Sequence, residues 1–207
     1  MKYSSTILAD AVEALSLLPG VGKKSALRMA IHLAQIDQEK SIQLAQSIMN
    51  MAQNLKTCNQ CNTFSDEEVC EICNSKSRDH KTLCIIESVK DLMAIEETLQ
   101  YNGTYHVLGA LISPIDGIGP EQLKLDQLQQ RIQNNQVREI IMAIKPSIDG
   151  DTTIYYLSKN IIDPTIKISL IARGVSFGSE LEYADELTLG RSIISRTPYS
   201  IHDNISA

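Results

Sequence analysis

Four of the chain's five cysteines form two Cys-x-x-Cys pairs, Cys58 with Cys61 and Cys70 with Cys73, eight residues apart within TCNQCNTFSDEEVCEIC. Each short knuckle points two thiolates at one place. Two knuckles together supply the four soft ligands of a tetrahedral zinc ion and leave no coordination position open, which marks a structural site rather than a catalytic one. The alternative is a pair of disulfides, which belongs to an oxidising compartment that the chain is not expected to reach. The loop between the pairs carries Asp66, Glu67 and Glu68 and is too short and polar to bury a core of its own. Metal must supply the folding energy there, on the order of 10 kcal/mol or more. Cys84 stands alone in TLCIIES and reads as a small buried hydrophobe in a strand.

A chain of 207 residues with 43% hydrophobic content has material for one or two compact units. No stretch reaches the roughly 20 apolar residues of a membrane span. Asp10 and Glu13 interrupt the region where a secretory peptide needs an unbroken apolar run, so a cytoplasmic protein with no membrane partner is expected. The formal charge of -6 argues against coating nucleic acid by bulk electrostatics, so any DNA contact must be local. Residues 1–56 hold six cations (Lys2, Lys23, Lys24, Arg28, Lys40, Lys56) against four acids (Asp10, Glu13, Asp37, Glu39), which is +2 here and -8 downstream. A mildly basic N-terminal unit suits a phosphate-facing surface and equally an ordinary solvated helix face.

Ile7, Leu8, Val12, Leu15 and Leu18 repeat at helical spacing over 7–18, and Pro19 with Gly20 stops that helix. A second helix is expected from about Lys24, with Leu27, Ala30, Ile31 and Ala34 on one face. A third runs from Glu39 to Leu55, where Ile42, Ala45, Ile48, Ala52 and Leu55 recur every three or four residues. The joint between the first two helices reads LPGVGKKS (18–25). Gly20 and Gly22 let the backbone turn sharply and approach a ligand, and the second helix presents unpaired N–H groups at its start. That geometry suits a phosphate, and Lys23, Lys24 and Arg28 add charge to it. The motif resembles a helix-hairpin-helix, whose members hold the DNA backbone without reading sequence. The alternative is a Schellman-type turn between packed helices. A nucleotide P-loop is excluded: Leu17 stands at its first glycine position, Lys24 where Ser or Thr is required, and a helix precedes instead of a strand.

From residue 82 the pattern changes to short apolar runs separated by amphipathic stretches. Strands are expected over 82–87, 105–112, 138–144 and 165–172, and helices over 89–100, 121–134 and 151–160. Such alternation argues for a parallel sheet with helices on both faces, whose ligands sit beyond the C-terminal strand ends. Two of those ends are acidic: Glu87 closes the first strand, and IDGD (148–151) follows the third. ESVKD (87–91), with this later acidic-Gly-acidic loop, resembles a Toprim domain. YHVLG (105–109), LISPIDGIGP (111–120), ARG (172–174) and LEYAD (181–185) extend the match. Taken with the helix-hairpin-helix and the cysteine knuckles, their order resembles the RecR recombination mediator family over nearly the whole chain.

The resemblance implies an α/β multidomain protein: a helix-hairpin-helix bundle over 1–56, a four-cysteine zinc finger over 57–80, a Toprim-like domain over 81–172, and a C-terminal Walker-B-like and oligomerisation segment over 173–207. Catalytic Toprim enzymes hold divalent metals with a Glu at the first strand and an Asp-x-Asp pair at a later strand end. Here the pair's positions fall at Lys145 and Ser147. Losing two carboxylates and gaining a cation weakens divalent binding, which leaves at most a loose Mg2+ held through water by Glu87, Asp149 and Asp151. No catalysis is expected. Tyr155 and Tyr156, inside an amphipathic helix, read as packing rather than as a nucleophile. Val89, Ser176 and Ser179 depart from the family's usual Pro, Pro and Gly. ATP hydrolysis carries little weight without a P-loop, so Arg173, Glu180 and Glu182 suit subunit contacts instead.

The implied function is that of a non-enzymatic, nucleoid-associated bacterial mediator working with RecO-like and RecF-like partners on gapped DNA. It would help RecA displace single-strand-binding protein, and it would bind single- and double-stranded DNA as a homo-oligomer, from a dimer to a tetrameric ring. In a ring, several copies of the Lys23, Lys24, Arg28 turn would line one opening, which reconciles DNA binding with an acidic chain. Set between the phosphate-binding helices and the sheet, the zinc site is expected to act as a rigid joint rather than as a DNA contact.

Overall fold

The computed structural model describes residues 5–123, 125–160, 163–176 and 178–198. Lys2, residue 124 of the expected helix over 121–134, residues 161 and 162 of the Toprim-like region, and residues 177 and 199–207 of the C-terminal segment lie outside the described residues. The chain divides into two compact units, one ending at Lys56 and the other beginning at Thr57.

In the first unit, the Ser5 side chain accepts from the Leu8 N–H and starts α1 (Thr6–Ser16). Asp37 accepts from the Glu39 N–H and starts α3 (Gln38–Asn54) in the same way. Between them, α2 (Lys23–Gln35) begins on Gly22 with no side-chain cap. The core is small: Val12, Ala26 and Ala30 are buried, and Leu8, Leu15, Val21 and Leu27 pack against them. The helices fall within two residues of their expected bounds, but their buried faces do not all follow the sequence pattern. α3 buries none of its residues, and Ile42 and Ile48 are 46% and 53% exposed. The small side chains of Ala26 and Ala30 let α1 and α2 close on each other, and the apolar stripe of α3 stays outside that contact.

Where the chain passes into the second unit, β1 (Lys56–Thr57) pairs with β2 (Phe64–Ser65) in a two-stranded ribbon beside the first knuckle, and α4 (Glu71–Asn74) carries the second. Four strands follow: β3 (Asp79–Ile86), β4 (Gly103–Val107), β5 (Glu139–Ala143) and β6 (Lys167–Leu170). They pair in parallel throughout, in the order β4-β3-β5-β6. α5 (Val89–Glu97) joins β3 to β4, α6 (Leu125–Asn134) precedes β5, and α7 (Ile148–Asn160) joins β5 to β6.

Period-two alternation sends neighbouring side chains to opposite faces. Leu83, Ile85, Ile140 and Met142 enter one core with Leu125, Leu128 and Ile132 of α6 and Leu157 of α7. Cys84, Ile86, Tyr105 and Val107 enter the other with Leu92 of α5. The sheet is therefore covered on both faces, and burial pushes the Cys84 thiol up to about 12.

Two expected boundaries shift for identifiable reasons, and one element was not expected. The strand expected over 105–112 stops at Val107, because the backbone beyond it turns into the core, where the Ile112 N–H donates to Thr153 Oγ1 at 2.9 Å. α7 begins at Ile148, so the acidic-Gly-acidic segment is its first turn and not a loop before it. Gly150 permits this: a Cβ there would stand 2.2 Å from the Lys145 carbonyl oxygen. After β6, a 3-10 turn at Leu181–Tyr183 leads into α8 (Glu186–Ile194), which has no counterpart among the expected elements.

Candidate functional site

Cys58, Cys61, Cys70 and Cys73 are all buried, and their sulfurs lie within 4.8 Å of one another. Tight local turns bring them together. The Cys58 N–H donates to the Thr63 carbonyl at 2.8 Å, and Asn62, left-handed at φ 63, donates its N–H back to the Cys58 carbonyl at 3.0 Å. The Cys70 N–H donates to Cys58 Sγ at 3.3 Å, and the Cys73 N–H to Cys70 Sγ at 3.5 Å.

These distances fit zinc. Zn–S bonds of about 2.3 Å in a tetrahedron require sulfurs about 3.8 Å apart, and Cys61 Sγ and Cys70 Sγ are 3.5 Å apart. Four thiols this close cannot all ionise unaided. Hydrogen bonding with Cys61 pulls the Cys70 thiol down, while hydrogen bonds with Cys70 and Cys73 together with burial push the Cys61 thiol up. A divalent cation resolves the conflict by stabilising every thiolate at once. The four cysteines form a structural zinc site.

The knuckle is tied to the sheet. The Val107 N–H donates to the Cys61 carbonyl at 2.8 Å, and Asn62 Nδ2 to the Val107 carbonyl at 3.1 Å. Arg131 of α6, 6% exposed, donates to the Tyr105 carbonyl, to the Gln60 carbonyl at 3.3 Å and to Cys73 Sγ at 3.4 Å. Sequence reasoning missed Arg131. The available signal was a single cation between Leu128 and Ile132 on the apolar stripe of α6.

At the C-terminal edge of the sheet, the three expected carboxylates do not gather. Among the described residues, the four cysteines are the only group of three or more metal-ligating side chains that closes around one point. Lys145 Nζ reaches Glu87 Oε1 at 3.2 Å. Asp151 pairs with Arg173 Nη2 at 2.9 Å and lies 4.0 Å from Arg191 Nη2. Arg173 thus serves a contact within the chain. Ser147 accepts from the Gly150 N–H at 3.0 Å and so helps shape the start of α7. Tyr156 packs against the core, whereas Tyr155 is 65% exposed, contrary to the packing role expected for it.

In the N-terminal unit, Gly20 adopts φ 79, a conformation that favours glycine, and the Val21 N–H donates to the Leu18 carbonyl at 3.0 Å. A Cβ at Gly20 or Gly22 would meet nothing within 4 Å, so the turn is open to approach. Lys23, Lys24 and Arg28 are exposed, and no ion pair among the described residues engages them. The first turn of α2 holds two lysines and no acid, at the end where the helix dipole already favours anions. Positive charge is gathered there, and among the described residues no ion pair answers it.

Family models match this chain in series: the RecR helix-hairpin-helix over residues 8–52, the RecR four-cysteine zinc finger domain over 55–75, the Toprim domain over 81–172 and the RecR C-terminal region over 174–197. Recombination protein RecR of Flavobacterium johnsoniae is 48% identical over 96% of this chain and 97% of its own length. That of Cytophaga hutchinsonii is 46% identical over 99% of this chain and all of its own, and that of Porphyromonas gingivalis 45% over 96% of each. Matched along nearly its whole length by these proteins and in every module by the family models, the chain belongs to the RecR family of recombination proteins.

Proposed function

We propose that this protein, whose family gives it a role in recombinational repair, is a non-catalytic mediator that binds single- and double-stranded DNA. With RecO-like and RecF-like partners it helps load RecA onto DNA coated by single-strand-binding protein. The observation that carries this reading is the open turn at Gly20 and Gly22, with Lys23, Lys24 and Arg28 exposed around an uncapped helix start. Such a site contacts phosphate without reading bases. The wholly unburied α3, with Ile42, Ile48, Met49 and Leu55 exposed, supports a second copy as its cover, and hence a homo-oligomer.

Absence of catalysis is the reading favoured at the sheet edge. Lys145 lies against Glu87, and Arg173 against Asp151, where a Toprim nuclease needs carboxylates free to hold divalent metal. Incubating the protein with DNA and Mg2+ or Mn2+ tests this directly. Cleavage that disappears in Glu87→Gln would overturn it.

The DNA contact is tested by fluorescence anisotropy with the double variant Lys23→Ala, Arg28→Ala. Affinity at low salt should drop about tenfold or more, and the slope of log affinity against log salt should fall by about 0.9 for each lost phosphate contact. An unchanged affinity and slope in a folded variant would refute the role of the turn.

A further inference from the structure

Among the described residues, Arg131 is the only Lys, Arg, Asp or Glu that is buried. It projects from the face of α6 that carries Leu125, Leu128 and Ile132 into the core, an expensive place for a guanidinium unless its charge is answered. No carboxylate answers it: the salt bridges of the described residues do not include Arg131. Its recorded acceptors are the carbonyls of Gln60 and Tyr105 and the sulfur of Cys73. Two carbonyl dipoles meet part of its need, and they belong to the knuckle loop and to β4 respectively. Only the third partner supplies a full negative charge when metal is bound. Four thiolates around Zn2+ carry a formal charge of about -2, and one guanidinium beside Cys73 halves it.

We propose that Arg131 is a positioning residue of the zinc centre. Its planar fork neutralises thiolate charge at Cys73 and, with the same group, ties the knuckle to the sheet. The inference rests on the zinc assignment. An N–H donor on a metal-bound thiolate withdraws electron density from sulfur, which lowers its proton affinity and its reactivity toward electrophiles and chelators. Zinc and Arg131 therefore hold each other: the metal provides the anion that makes burying the cation tolerable, and the cation makes the thiolate a poorer leaving ligand.

The test uses the full chain with zinc bound. Zinc release to an excess of 4-(2-pyridylazo)resorcinol is followed by absorbance, and the sulfur-to-cobalt charge-transfer band is recorded after substitution with Co2+. Arg131→Met keeps length without charge and should release zinc about tenfold faster or more, with the cobalt band moved to lower energy. Arg131→Lys retains a charge but cannot span three acceptors, and should fall between Met and the parent in both readouts. Ile132→Ala loosens the same helix without touching sulfur, and should leave the band where it is. A parental release rate in Arg131→Met would overturn the proposal, as would an unmoved band. Equal acceleration in Ile132→Ala would overturn it too, by showing only general loosening. If Arg131→Met does not fold, Arg131→Lys decides on the same criteria. A parent chain that binds no zinc on metal analysis would instead defeat the underlying assignment.

Discussion

Two sets of metal-competent side chains lie in the second unit of this protein, and they resolve in opposite ways. The thiols of Cys58, Cys61, Cys70 and Cys73 converge in a buried pocket, close enough to share one cation. The carboxylates of Glu87, Asp149 and Asp151 stand at strand and helix ends. Two of them are answered by the chain's own cations, Glu87 by Lys145 and Asp151 by Arg173. The first cluster has no adequate internal counter-charge, since Arg131 alone cannot balance four thiolates. The second largely supplies its own. An anionic set calls for metal most where the fold withholds cations, and at the sheet edge lysine and arginine stand against two of the three carboxylates.

The largest expected effect tests the cysteine side of that contrast. Cys58→Ser should abolish stoichiometric zinc by atomic absorption and remove most of a binding free energy on the order of 10 kcal/mol. The knuckle would then lose its protection in hydrogen exchange, along with the bond from the Val107 N–H to the Cys61 carbonyl and that from Asn62 Nδ2 to the Val107 carbonyl. A stably folded, zinc-free variant would break the comparison.

A smaller effect is expected at the sheet edge. Lys145→Asp removes the cation beside Glu87 and restores a carboxylate where catalytic Toprim domains carry one. Mn2+ affinity, read by calorimetry, should rise by more than about tenfold, since a like-charge contact near 4 Å is worth about 4 kcal/mol at a protein surface. If Mn2+ binding does not change, lysine is not what keeps divalent metal away.

The smallest expected effect concerns the partly exposed Asp151. Asp151→Asn should cost only about 0.5 kcal/mol in chemical denaturation. It should still speed amide exchange in α8, because Arg173 and Arg191 both lose their carboxylate. Unaltered exchange in Glu186–Ile194 would show that the pair does not secure that helix.

Much of this architecture was legible in the sequence. The three N-terminal helices, the alternation of strand and helix, and the zinc ligands were all visible in periodicity and spacing. The apolar repeat of α3 was visible in the same way, yet Ile42 and Ile48 stand exposed. Periodicity reports a face that can be buried, and only packing decides what covers it. α8 escaped notice as a separate element, although Asp185, which accepts from the Thr188 N–H, is an ordinary cap signal.

What the sequence determined by itself was therefore local: knuckles closed by bonds between near neighbours, helices set by caps and repeats, and a glycine turn ringed by cations. The order of modules carried the family. Tertiary structure alone decided the pairings of Arg131 with Cys73 and of Lys145 with Glu87, each spanning 58 residues of chain. No spacing rule encodes such partners. Lys145 and Glu87 meet because β5 lies beside β3 with Ala143 opposite Ile86, a register whose shift by one residue would send each side chain to the opposite face. Arg131 and Cys73 meet because α6 packs on the sheet to which the knuckle is bonded.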